Sequence, residues 1–306
     1  MILTAGLSPA WQQILQFDSL HIGEVNRAAH AKWCASGKAV NVAIAAQSLG
    51  AKTSLLTAIG GLTGAALRSE IEERGIHADW LELAVPTRVC TTILESNGKT
   101  TELVENAWPM PDDRLVEFIS RFRIRAQLAD VTILTGSIPS NAPEDYYARL
   151  VHNIPVRFIL DFRGPGLLQC LPFGPLLIKP NRDELAATIG ERIQDESQLL
   201  TAMQLLNRQG AQWIVVSDGP EALYVSERDG DSYRLIPPQI SVVNPIGCGD
   251  CLAAGIATGI VNGESMLAAI QLGMGAAAHN AAQLLPGRVD LNTARHLAEQ
   301  VQVEEL

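Results

Sequence analysis

Short apolar runs punctuate the chain, and stretches with helical spacing separate many of them. Ile2 to Leu7, Thr53 to Ile59, Val131 to Leu134, Phe158 to Leu160, Leu176 to Ile178 and Trp213 to Val216 read as buried strands. That alternation predicts an α/β fold with a doubly wound, mainly parallel sheet flanked by helices. Two stretches break the rhythm. In the first, Arg88 to Glu95 faces Lys99 to Val104 across Ser96-Asn97-Gly98, and an Asn-Gly turn between Thr-rich runs predicts a hairpin. In the second, Gln13 to Trp33 mixes polar and apolar residues as two further extended segments would. Both interrupt the main alternation, so they predict a small β lid inserted at about 10–34 and 86–106 of a single domain spanning 1–306. Near the C-terminus, Cys251 to Val261 and Glu264 to Leu285 are Ala- and Gly-rich helical stretches whose small residues permit close packing.

Composition narrows the class of function. With 47% hydrophobic and 18% charged residues, the 306-residue chain has the make-up of a globular protein with a sizeable core. The net charge of −10 has the wrong sign for a nucleic-acid or acidic-membrane surface, so an anionic ligand would need local cations or amides. Five cysteines, an odd number, argue against a disulfide scaffold, and no basic leader or spanning apolar run is apparent. A cytoplasmic protein with no nucleic-acid or membrane partner is expected.

Three segments could carry chemistry. The most informative is Asn244-Pro245-Ile246-Gly247-Cys248-Gly249-Asp250, just before an apolar helix. Its glycines let backbone amides converge, and the helix N-terminus adds positive potential, so an anion could be cradled there. A carboxylate such as Asp250 repels that anion, yet suits a base that takes a proton from a hydroxyl during phosphoryl transfer. The plainer alternative is a helix cap in a Gly-rich turn. In the second segment, Lys179-Pro180-Asn181-Arg182-Asp183-Glu184, Asn181 can cap a helix, or it can join Glu184 at a strand's C-terminal end to support Mg²⁺ through waters. In the third, Ser36-Gly37-Lys38-Ala39-Val40-Asn41, Gly37 permits close backbone approach and Asn41 can bond sugar hydroxyls; the P-loop pattern is incomplete and is rejected. Cys248 and Cys251 form a lone Cys-x-x-Cys at a helix N-terminus, where thiol pKa values can fall, but zinc would need a second ligand pair. The six histidines form no ligand-spaced cluster.

Taken in order, these segments resemble the PfkB (ribokinase-like) carbohydrate kinases, most nearly their tagatose-6-phosphate kinase and 1-phosphofructokinase branch. The similarity runs from Leu7-Ser8-Pro9-Ala10 through Gly23 to Arg27, Ser36 to Ala43, Thr87-Arg88, Thr101-Glu102, Gly136 to Pro139, Lys179 to Asn181 and Val216 to Gly219 to Gly247 to Asp250. It implies a ribokinase-like fold and an ATP- and Mg²⁺-dependent kinase acting on a sugar or, preferentially, a sugar phosphate. On that resemblance Asp250 is the base, and Gly247, Cys248 and Gly249 form the anion hole. Lys179, Asn181, Ser217, Asp218, Gly219, Ala222 and Asn280 meet the nucleotide, and Glu184 serves the magnesium. Gln12, Ser36, Gly37, Asn41 and Ser137 line the sugar pocket, while Arg27 and Arg88 hold a substrate phosphate. The lid would pair two copies of the chain.

The chain also departs from that pattern. Gln12 stands where the branch carries a sugar-binding Asp, Ser36 and Ala39 replace glycines, Pro245 replaces a common Thr, Ala222 replaces a second loop Gly, and Cys90 takes a usually polar place. The catalytic residues are kept and sugar recognition is altered. Two rival readings stay open: a weakly catalytic sugar-phosphate binding or regulatory protein, and a kinase of a nucleoside or other small alcohol.

Overall fold

Strand and helix boundaries follow the apolar runs closely. The computed structural model describes all residues, Met1–Leu306. In chain order the first elements are β1 (Ile2–Gly6), β2 (Ala10–Phe17), β3 (His30–Ser36), α1 (Lys38–Ser48), β4 (Thr53–Gly60), α2 (Gly61–Glu73), β5 (His77–Leu83), β6 (Val89–Glu95) and β7 (Thr100–Val104). The middle of the chain forms α3 (Asp112–Ala126), β8 (Val131–Thr135), α4 (Tyr146–Val151), β9 (Arg157–Asp161), α5 (Pro165–Cys170), β10 (Leu177–Ile178), α6 (Arg182–Ile189) and α7 (Glu196–Gln209). It ends with β11 (Trp213–Asp218), β12 (Ala222–Glu227), β13 (Ser232–Ile236), α8 (Cys248–Val261), α9 (Met266–Ala281), α10 (Leu291–Ala298) and β14 (Gln302–Glu305).

Ten strands form one sheet in the order β14-β13-β12-β11-β10-β9-β8-β1-β4-β5. From β11 to β5 every pairing is parallel; β12, β13 and β14 extend it antiparallel at one edge. This antiparallel edge and β5 lie outside the runs that sequence patterning singles out. β5, β13 and β14 mix polar and partly exposed positions and lack the continuous apolar signature of a doubly covered strand, whereas β12 is buried along Ala222 to Ser226 but its apolar run is only four residues long. Along the parallel strands, alternate side chains enter different cores. Phe158 and Leu160 pack with α3 to α7 on one face, whereas Ile159 packs with α8 and α9 on the other. Each fully buried Leu or Ile of this kind contributes about 1.5–3 kcal/mol.

Strand order reverses at β1. Its two parallel neighbours, β4 and β8, are joined to it by connections running in opposite directions, which opens a crevice at the strands' C-terminal ends. The segments of chemical interest follow β1, β8, β9 and β10 at that edge.

A separate four-stranded sheet, β3-β2-β6-β7, stands over the crevice. Its hairpin pairs Leu94 with Thr100 around the Asn97-Gly98 turn, as the sequence predicts. One row across it is Cys34, Gln12, Cys90 and Val104; the next is Trp33, Gln13, Thr91 and Leu103. Because neighbouring residues in a strand point to opposite faces, Cys34, Gln12 and Cys90 are turned inward and Trp33 and Leu103 outward, while Val104 lies exposed on the edge strand. The inward side packs Ile14, Cys34 and Leu94 against Leu284 and Leu285.

Helices α8 and α9 approach so closely that a Cβ on Gly255 would lie 2.5 Å from the Gly273 Cα. Backbone cannot yield as a flexible side chain can. Gly255→Ala is therefore expected to cost about 1–3 kcal/mol in urea unfolding, the scale of core overpacking; an unchanged midpoint would show that the helices are not pressed together.

Candidate active site

Two helices begin at the crevice without a side-chain cap. The N-cap of α1 is Gly37 (φ 97°) and that of α8 is Gly247 (φ 85°), both in the left-handed region that favours glycine. Their first-turn amides are left for an external acceptor, and both dipoles put positive potential at the same place. Within the α8 turn, Gly249 is exposed, and Cys248 is partly buried.

Asp250 follows at the base of that turn and is only 6% exposed. Asn41, one turn into α1, donates its Nδ2 to Asp250 Oδ2 at 2.7 Å. Burial pushes the Asp250 carboxyl up to about 6; Lys38 pulls it down, Asp161 adds to the rise, and Asn41 and Lys179 oppose it. The carboxylate thus titrates close to neutrality, as a base that must later release its proton should. Asn41 Oδ1 is buried and has no partner within the chain, leaving an acceptor for an external hydroxyl.

A second buried carboxylate was not among the expected residues. Asp161, at the end of β9, is fully buried; its Oδ1 lies 3.1 Å from Lys179 Nζ and 3.3 Å from Lys38 Nζ. Thr135 donates to its Oδ2 at 2.9 Å. Burial disfavours the charge of Asp161, but Lys179 and then Lys38 outweigh it and hold the carboxyl down at about 2. Asp161 escapes sequence reading because a lone Asp after a short strand carries no local pattern. The Lys38–Asp161 pair spans 123 residues.

After β10, Asn181 caps α6 by accepting from the Glu184 amide at 2.7 Å, and Glu184 Oε2 accepts from the Asn181 amide at 3.0 Å. The capping alternative and the site alternative therefore coexist, since Glu184 Oε1 remains turned toward Lys38, 4.0 Å away. Asn181 also bridges to Ser217 at the end of β11, where Asp218 is paired with Arg182 at 2.7 Å and registers with Ala222 across an exposed Gly219 turn. No group of three His, Cys, Asp or Glu side chains is placed to hold a metal ion. One free carboxylate oxygen suits Mg²⁺ that keeps waters and phosphate oxygens as its other ligands.

Other expected residues are redistributed. Asn280 is expected at the nucleotide but is 1% exposed, and both ends of its amide are occupied. Its Nδ2 donates to Ile246 O (2.9 Å) and reaches Cys248 Sγ (3.4 Å), while Oδ1 accepts from the Gly287 amide (2.8 Å) and from Cys251 Sγ (3.3 Å). It braces the Gly247 to Asp250 turn from behind. Burial raises both thiols of Cys248 and Cys251, and Asp250 adds to the rise, contrary to the lowering expected at a helix N-terminus.

Arg27 and Arg88, expected as a pair, differ in setting. Arg27 is exposed on the connection between β2 and β3, with no partner. Arg88 donates to the carbonyls of Pro9, Ser8 and Glu105 at 3.3, 3.1 and 3.0 Å. Three of the five N–H groups of a guanidinium are thereby used, leaving two. Gln12, 3% exposed, donates to Thr92 Oγ1 at 2.8 Å. Ser36 is buried at the end of β3, and exposed Ser137 donates its hydroxyl to Ser8 Oγ at 3.1 Å beside Gly136.

A buried carboxylate beside an uncapped helix N-terminus, with two ammonium groups opposite, is the layout for moving a phosphoryl group to a hydroxyl. Residues 12–288 match the family described as pfkB family carbohydrate kinase. The chain belongs to that family. As a pfkB-family member it is also similar in fold to solved relatives across its length. A protein named "possible 1-phosphofructokinase" from Thermotoga maritima is 20% identical, with 100% of this chain and 99% of that chain covered and a TM-score of 0.91. Phosphofructokinase-2 from Escherichia coli in complex with fructose-6-phosphate is 20% identical, with 98% of each chain covered and a TM-score of 0.88. Its tetrameric inhibited form gives the same identity, coverage and TM-score. The ribokinase-like fold expected from the sequence is the fold observed. No helix is long and apolar enough to cross a membrane.

The two buried carboxylates should respond to pH with opposite sign. Asp161 has a depressed pKa, so it stabilises the fold above about pH 4 and loses that contribution as pH falls toward 2. Asp250 has a raised pKa, so its charge costs stability above about pH 6, and the cost fades as pH falls through 6 toward 4. At pH 7.5, Asp250→Asn should stabilise by on the order of 1–3 kcal/mol, and Asp161→Asn should destabilise by about 3–5 kcal/mol. The Asp250→Asn gain should vanish near pH 4. Denaturant unfolding at both pH values checks this, and same-sign effects at pH 7.5 would refute the assignment.

Proposed function

We propose that the chain is an ATP-dependent kinase that phosphorylates a hydroxyl of a sugar phosphate. The observation that carries this reading is the setting of Asp250: buried, hydrogen-bonded to Asn41, poised near neutrality and placed at the uncapped start of α8. Asp250 takes the acceptor's proton. Amides of Gly247, Cys248 and Gly249 receive the charge that develops on the phosphoryl oxygens. Lys179 and the hairpin from Ser217 to Ala222 hold the nucleotide, and Glu184 would hold Mg²⁺. When bound, that ion supplies charge neutralisation between the phosphates. Asn41, Gly37 and Ser137 orient the acceptor, and the small sheet closes over it to exclude water.

A phosphorylated acceptor is favoured by the two spare N–H groups of Arg88 and by unpartnered Arg27. Gln12 is the reason to expect unusual sugar specificity: it offers a neutral amide, with one N–H already given to Thr92, where the branch offers a charged acceptor. The outward row with Trp33 and Leu103, 46% and 57% exposed, is the surface on which two copies would pair.

A coupled ADP-release screen over sugars and sugar phosphates tests the reading; release with phosphosugars only is expected, and release with nucleosides only would replace it. Asp250→Asn should retain nucleotide binding and lose about 10²- to 10⁴-fold in turnover, the usual effect of one acid-base group. Gln12→Asp should raise turnover of fructose 1-phosphate or tagatose 6-phosphate above wild type. No gain on any phosphosugar would show that the pocket is built around other residues.

A further inference from the structure

Helices α1 and α8 both start at the crevice, and neither start is fixed by a side-chain cap. Their spacing must be set from behind. The turn Pro286-Gly287-Arg288 is wedged against both helices: a Cβ on Gly247, the N-cap of α8, would stand 2.8 Å from Pro286 Cβ, and a Cβ on Gly287 would stand 3.0 Å from Asn41 O in α1. One carboxylate outside the crevice holds that turn. Glu70, from α2, pairs through Oε1 with Arg288 and, at 3.0 Å, with Arg74 Nη2. Its Oε2 accepts from the Ala35 amide at 2.6 Å, two residues before the N-cap of α1. Arg288 in turn donates Nη1 to Pro286 O at 2.8 Å, while its Nε is buried with no partner. Burial and then Arg74 pull the Arg288 guanidinium below its ordinary range, and Glu70 opposes them. Without Glu70, two guanidinium groups would face each other unpaired.

We infer that Glu70 is a positioning residue for phosphoryl transfer: through the Ala35 amide and the Arg288 turn it sets the spacing of the two uncapped helix starts, without touching substrate. This rests on the phosphoryl-transfer reading above. Both helix starts offer amides to oxygens whose charge grows in the transition state, and an amide acts there only if it already stands where that charge appears. Misplacing a positioned group by about 1 Å can cost on the order of 10²-fold in rate. A carboxylate suits this place, because both of its oxygens accept and it can receive a guanidinium and an amide at once. Glutamine would keep the size, offer one oxygen in place of two, and set an N–H₂ group against the guanidinium donors.

The test compares Glu70→Gln, Arg288→Met, Arg288→Lys and Arg74→Met with wild type, using ATP, Mg²⁺ and the phosphosugar found active. Glu70→Gln should lower kcat by about 10- to 10²-fold, with the KM of either substrate changed less than about threefold. Arg288→Met, which cuts one of the two ties, should lose about tenfold, and the double variant should lose no more than Glu70→Gln alone, since both residues act through one turn. Arg288→Lys should recover at least about threefold of the Arg288→Met loss, because the charge returns without the planar fork. Arg74→Met also removes an ion pair from Glu70 but leaves the turn seated, so its kcat should stay within about threefold of wild type. A Glu70→Gln kcat within that range, a loss confined to KM, or an equal loss in Arg74→Met would overturn the inference. Should Glu70→Gln fail to fold, Arg288→Met carries the same test, because Arg74 still satisfies Glu70 there. Amide hydrogen exchange separates this from the parent reading, since it needs no turnover. In Glu70→Gln, or in Arg288→Met in its place, residues 35–41 and 245–250 should both exchange several-fold faster than in wild type, and in Arg74→Met neither should. Faster exchange at one segment alone, or at neither, would overturn the role of Glu70. Absence of ADP release by wild type with every acceptor would instead overturn the kinase reading.

Discussion

One carboxylate with no access to water holds this site together. Asp161 would be costly to bury alone, and it is charged only because Lys38 and Lys179 converge on it. Those lysines come from the start of α1 and from the segment after β10, which lie on opposite sides of the crevice. Their shared partner therefore fixes the two walls of the crevice relative to each other. The crevice itself follows from the strand order reversing at β1, which places the ends of β8, β9 and β10 on one wall and the start of α1 on the other.

The same low-polarity setting acts on Asp250 in the opposite direction. It has an amide from Asn41 at 2.7 Å but no ammonium in direct contact, so burial dominates and its carboxyl stays near neutrality. Two carboxylates in one crevice thus take different roles because one has cations at contact distance and the other does not. The tight α8 and α9 packing and the Asn280 bridge secure the turn that carries Asp250.

On the proposed reading, recognition falls to a separate layer. The four-stranded sheet brings Gln12 between Cys34 and Cys90, and Thr92 takes one of its amide hydrogens. Arg88 ties the start of β6 to the backbone after β1 while keeping donors in hand. On that reading, changes on this sheet would alter which hydroxyls are accepted without disturbing Asp250, Asp161 and Lys179, which are anchored in the larger sheet.

The parallel core strands, the Asn97-Gly98 hairpin and the Gly247 to Asp250 turn were legible in the chain itself, because each rests on residues close together: apolar runs, a turn dipeptide, glycines ahead of a helix. The family resemblance was legible for the same reason, as a series of short motifs in a set order. Tertiary structure decided what depends on distant partners. It showed that Asn181 and Glu184 cap each other while leaving one oxygen free, that Asn280 braces a loop, and that buried thiols at a helix N-terminus are raised. It also brought Asp161 to Lys38 across 123 residues. Charge and burial at a site are properties of the assembled surroundings, and no local pattern encodes which two lysines will meet one aspartate.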